Sequence, residues 1–81
     1  MHAPTQLSAT IARQAKQARK QQNLRQAEVA LAAGVSVRSV HEIEAGKPTI
    51  RLDVLERVLT ALGLTVEVAA RAGVRPLAEG E

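Results

Sequence analysis

The 81-residue sequence contains no Phe, Tyr, Trp or Cys. Without rings to bury, any core must be assembled from Leu, Ile, Val and Ala. Without cysteine there is neither a disulfide staple nor a thiolate metal site. No apolar run approaches the roughly 20 residues of a membrane span. The N-terminus also lacks the charged, apolar and small-residue succession of a secretory signal, so the expected location is the cytoplasm. Equally absent are a convergent set of acids with His, a phosphate-cradling glycine loop and a metal-ligand spacing, so no catalysis, cofactor or small-molecule ligand is expected. A chain this short has room for one domain and buries little of its surface, which favours stabilisation by a second copy.

Acidic residues are missing from the first third. Arg13, Lys16, Arg19, Lys20 and Arg25 all precede Glu28, the first carboxylate, although the net charge is only +3. A segment of this kind is either an electrostatic footprint for phosphates or an ordinary solvated helix face.

Apolar spacing organises the rest. Pro4 and Thr5 open a first helix that runs to about Gln22, with Leu7, Ile11, Ala15 and Ala18 at helical intervals and Asn23 as its stop. Arg13, Lys16 and Lys20 form a separate basic ridge. Gln26 to Ala33 reads as a short second helix ended by Gly34, and Val37 to Glu44 as a third, capped by Ser36, with Val40 and Ile43 facing inward. After a Gly/Pro loop, Leu52, Leu55, Val58, Leu59 and Leu62 mark a fourth helix ending at Gly63. The period then changes to alternation, with Leu64, Val66 and Val68 on one side of a strand at about 64–69. A lone strand leaves its backbone unpaired, and the economical partner is the same strand of a second copy, giving a two-stranded ribbon about a two-fold axis. Residues 1–70 thus form one domain, and the Gly/Pro/Glu-rich stretch 71–81 is expected to be a disordered tail.

The stretch Leu24-Arg25-Gln26-Ala27-Glu28-Val29-Ala30, then Ala33-Gly34-Val35-Ser36, then Ser39-Val40-His41-Glu42-Ile43-Glu44-Ala45-Gly46-Lys47 resembles the lambda-repressor-like (Cro or XRE) helix-turn-helix family, over roughly residues 7–64. The resemblance implies an all-α bundle of four to five helices carrying the C-terminal strand that pairs across a dimer. It also implies a repressor that reads a palindromic operator in double-stranded DNA, with the third helix in the major groove and the second across the backbone. The N-terminal Pro-Thr-Gln-Leu and the Leu-Gly-Leu-Thr-Val-Glu-Val segment are most similar to HipB-type antitoxins, which implies a homodimer that represses its own operon and holds a HipA-type kinase toxin. An XRE-type regulator without a toxin, or a protein-interaction adaptor or coactivator on the same fold, are the alternatives.

On the family's pattern the base-reading positions are Ser36, Val37, Arg38, His41 and Glu42, and Gln26 grips a phosphate or a base at the edge of the half-site. The same pattern makes Arg19 and Glu44 a structural salt bridge. Chemistry qualifies each position. Arg38 has the donor pair for guanine O6 and N7, and Val37 either touches a thymine methyl or merely packs at the helix start. Ser36 caps the helix whatever else it does. His41 has neither a Cys nor a well-placed second His to share a metal, and a groove-facing position is expected for it. Glu42 accepts from cytosine N4, points to solvent, or turns to a positive side chain. Arg25 stands where the family has Thr or Ser; it cannot accept a capping hydrogen bond, which suggests a phosphate contact instead. Lys47 and Thr49, in the loop after the third helix, either bind phosphates or serve solubility.

Overall fold

A computed structural model describes residues 3–73. Within them the chain is all-helical: α1 Gln6–Gln21, α2 Gln26–Ala33, α3 Val37–Glu44 and α4 Leu52–Ala61. α1 starts at a reciprocal cap, in which the Thr5 hydroxyl accepts the Ser8 N–H at 3.0 Å and the Ser8 hydroxyl accepts the Thr5 N–H at 2.8 Å. Pro4 therefore stands before the cap and not inside the helix, because Thr5, unlike Pro4, brings both an N–H and a hydroxyl to the cap. α2 and α4 both start from an arginine, Arg25 and Arg51, that offers no acceptor; the first-turn acids Glu28 and Asp53 offset the helix-end charge there.

All four helices end in one way. The residue just past the last turn takes positive φ at Asn23 (57°), Gly34 (71°), Gly46 (82°) and Gly63 (77°). The next residue then donates its N–H back five positions: Leu24 to Arg19 (3.1 Å), Val35 to Ala30 (3.0 Å), Lys47 to Glu42 (3.1 Å) and Leu64 to Leu59 (2.8 Å). At three of the four ends the donor is apolar and packs on the core: Leu24, Val35 and Leu64. Lys47 is the exception. Each cap satisfies orphan carbonyls and folds the chain back, so eight-residue helices can stand next to one another without long loops.

Ala15, Val29, Ala30, Val40, Ile43, Val58, Leu59 and Leu62 form the buried core. Ala15, fully buried on α1, is small enough to let its neighbours approach closely. The Gln22 side-chain amide donates to the Leu62 carbonyl at 3.0 Å, tying the ends of α1 and α4 together. Two residues counted in the apolar stripes stay outside: Leu7 is 65% and Leu52 80% exposed, because each sits in the first turn of its helix and meets its neighbours only across an open groove. Together with Ile11, Leu55, Leu64 and Val66 they line an open apolar groove between α1, α4 and the C-terminal segment. Residues 64–70 have no regular secondary structure in the single chain, and Val68 is fully exposed. Of the expected tail, residues 71–73 make an exposed turn and 74–81 lie outside the described residues.

Gly34 and Gly46 separate two consequences of adding a methyl group. A Cβ at Gly34 would meet nothing within 4 Å, whereas one at Gly46 would sit 3.2 Å from the Pro4 ring. Gly34→Ala should therefore cost only the left-handed backbone strain of about 1–2 kcal/mol. Gly46→Ala should cost more, by about a further 1 kcal/mol of overpacking. Urea unfolding followed by circular dichroism measures both; equal losses would mean that the Pro4 contact contributes nothing.

Candidate nucleic-acid interface

α2, the Gly34-Val35-Ser36 turn and α3 form a helix-turn-helix. Burial of Val40 and Ile43 fixes the rotation of α3 and leaves Val37, Arg38 and His41 exposed on its outer side. The Ser36 hydroxyl accepts the Ser39 N–H at 3.1 Å and lies 3.0 Å from the Ser39 hydroxyl, so Ser36 spends its acceptor capacity on the cap while remaining exposed. Val37 is 47% exposed, and the Arg38 side chain is 85% exposed. His41 stands on the same outer face, and among the described residues no His/Asp/Glu cluster could hold a metal ion.

Glu42 has turned to positive side chains. Its Oε2 accepts from Arg38 Nε at 3.3 Å and from Lys47 Nζ at 3.0 Å. The Lys47 hydrogen bond, foremost, with its charge and the contacts from Arg38, holds the Glu42 carboxyl below its ordinary pKa against a smaller opposing effect of burial. The helix-end geometry explains the pairing, because the residue that closes the cap lies over the residue five back. At the other three ends an apolar side chain fills that place. Thr49 is exposed in the following loop. Arg25 is exposed at the start of α2, where the Glu28 carboxylate accepts its backbone N–H at 2.8 Å, the one half of a capping box an arginine permits.

Beneath this surface lies the most constrained polar cluster. Arg19 reaches from α1 to Glu44 at the end of α3 with Nε–Oε2 at 2.6 Å and Nη2–Oε1 at 2.9 Å, while its Nη1 donates to the Leu24 carbonyl at 2.9 Å. Gln26, at the start of α2, donates its side-chain amide to Glu44 Oε1 at 3.2 Å. One carboxylate thus joins three helices, and its side chain is 3% exposed. Burial pushes the Glu44 pKa up, but the hydrogen bonds from Arg19 and Gln26 and the charges of Arg19 and Lys16 outweigh it and hold it below its ordinary value. The Gln26 amide keeps a second N–H and its carbonyl oxygen for an outside partner. The sequence reading paired Arg19 with Glu44 but missed Gln26 as the third member. The signal was the spacing, since a residue opening α2 and one closing α3 meet across a short turn.

Among the described residues no helix is long and apolar enough to cross a membrane. Residues 16–69 match the model of a family described as helix-turn-helix. Over 52 residues the chain is 46% identical to y4mF, an uncharacterised helix-turn-helix-type transcriptional regulator of Sinorhizobium fredii, covering 64% of this chain and 68% of that one.

Glu44→Gln keeps the shape of the side chain but leaves the Arg19 guanidinium without its counter-charge. At neutral pH it should cost about 2–4 kcal/mol. Because the folded-state pKa of Glu44 is lowered, its contribution is present above the ordinary carboxylate value of 4.5 and is lost as pH falls through the folded value. Thermal melts of both proteins across acid pH should therefore show the gap between them closing as pH drops below that ordinary value. A gap that stays constant would remove the charge pair as its source.

Proposed function

The chain belongs to the helix-turn-helix family, and from that premise we propose that it is a sequence-specific DNA-binding repressor that works as a symmetric dimer. The observation that carries this reading is the outer face of α3, where Val37, Arg38 and His41 are exposed while the opposite face is locked into the core. A helix held by its back and bare at its front is what insertion into a major groove requires. In this reading Arg38 donates to guanine, Val37 meets a thymine methyl and His41 contacts a base edge. Gln26, Arg25 and Thr49 contact the phosphates on either side. Ser36 acts through the cap, and Glu42 acts through its two cations.

Dimerisation is supported by what the single chain leaves uncovered. Leu7, Leu52 and Val66 are exposed around one groove that runs on to segment 64–69, where Val68 is fully exposed. A second copy, paired through Leu64, Val66 and Val68, would cover them and set two α3 helices on half-sites about one DNA turn apart. The finer proposal is that this dimer is an antitoxin of the HipBA type that also restrains a kinase. It is supported by the similarity of the N-terminal and 62–68 segments to HipB-type proteins. Co-expression with the product of the adjacent gene decides it: a stable complex and relief of growth arrest support the antitoxin role, and no complex leaves a repressor without a toxin.

A fluorescence-anisotropy titration with the DNA upstream of the gene, against a scrambled duplex of equal length, tests the main proposal. A preference of about a thousandfold is expected. Equal affinity for both would favour the adaptor reading. Arg38→Ala should reduce affinity for the preferred duplex by about five- to 150-fold and affect the scrambled one far less.

Val66→Asp should give monomers in sedimentation velocity, since the carboxylate would be buried without a partner. An unchanged dimer would contradict the strand-mediated interface.

A further inference from the structure

We propose that Glu42 is an internal competitor for DNA, a carboxylate that holds Arg38 and Lys47 until a correct base sequence displaces it, and that it thereby sets specificity and not affinity. The inference rests on the reading of α3 as the helix that meets DNA.

The geometry is specific. Two cations from different places, one on the first turn of α3 and one beyond its end, converge on the same oxygen, Glu42 Oε2. The Glu42 side chain is 23% exposed, so it is held against the surface, whereas Arg38 at 85% and Lys47 at 43% remain open to a competing anion. Neither interaction is needed to complete the core. Val40 and Ile43 do that from the opposite face of the helix. Nor does local propensity call for the arrangement, because Arg38 lies near the N-terminus of α3, where a positive charge is unfavourable.

A phosphate offered by arbitrary DNA must compete with Glu42 for each cation and also meets the repulsion of the carboxylate. A guanine presents two aligned acceptors to Arg38, a contact that discriminates by about five- to 150-fold. An exposed ion pair is worth about twofold. The correct base therefore displaces Glu42 easily, while a phosphate alone gains little over the contact it replaces. Placing a repulsive group against the wrong partner is a general route to specificity.

Glu42→Gln tests this in the full-length protein, with the upstream duplex and a scrambled duplex of equal length titrated over a series of salt concentrations. Affinity for the scrambled duplex should rise about three- to tenfold, and its salt dependence should steepen by one to two released counterions. Affinity for the upstream duplex should change less than threefold, so the ratio between them falls. In an Arg38→Ala/Lys47→Ala background the same substitution should have little effect on scrambled DNA.

Three results would overturn the proposal. Loss of affinity for the upstream duplex alone would make Glu42 a reader of cytosine. An equal gain on both duplexes, persisting in the doubly substituted background, would reduce it to net charge. Wild-type protein that binds neither duplex would remove the DNA reading of α3, and this proposal with it, a result distinct from the other two.

Discussion

A buried carboxylate in a chain with no aromatic core must be matched or it will unfold what surrounds it. Glu44 is matched by the two-point contact from Arg19 and by the Gln26 amide, so its charge is compensated by groups from two other helices. The planar guanidinium fixes angle as well as distance. Aliphatic side chains such as Val29, Val40 and Val58 pack well, but they tolerate small rotations of one short helix on another. The ion pair removes that freedom. It sets where the end of α3 stands relative to α1 and where α2 begins, and those relations place Gln26 beside the proposed recognition surface.

The helix ends serve the same purpose by different means. Four left-handed residues, each followed by an N–H that reaches back, turn the chain so sharply that α2 and α3 pack within a three-residue turn. Three of these ends are sealed by apolar residues against the core. The fourth, at α3, is sealed by Lys47 over Glu42 and therefore remains polar where it faces outward. The difference between this end and the other three comes down to a single side chain at the same position in the same motif.

Much of this was legible before any coordinates. The spans of α2 and α3, the stop at Asn23 and the turn at Gly34 follow from residues whose local chemistry has one good solution, and the structure agrees with each. The inward set of Val40, Ile43, Val58, Leu59 and Leu62 was equally clear from its spacing. What periodicity could not supply was where an amphipathic stripe ceases to have a neighbour: Leu7 and Leu52 fit their patterns and still face outward, because burial depends on the packed partner and not on the helix alone. Pro4 misled for a related reason, since both Pro4 and Thr5 suit a helix start and only the reciprocal bond to Ser8 distinguishes them. The Gln26–Glu44 and Glu42–Lys47 bonds depend on side-chain reach across a turn, which spacing permits but does not require.

The fold and the proposed interface thus meet at Glu44, whose carboxylate stabilises the bundle and orients the glutamine at its edge. A double-mutant cycle on affinity for the upstream duplex, with Gln26→Ala and Glu44→Ala alone and together, under conditions where circular dichroism shows every variant folded, tests that link most directly. If Glu44 positions Gln26, the second substitution should cost much less once the first has been made. Losses that multiply independently would contradict the account and leave the ion pair a matter of stability alone.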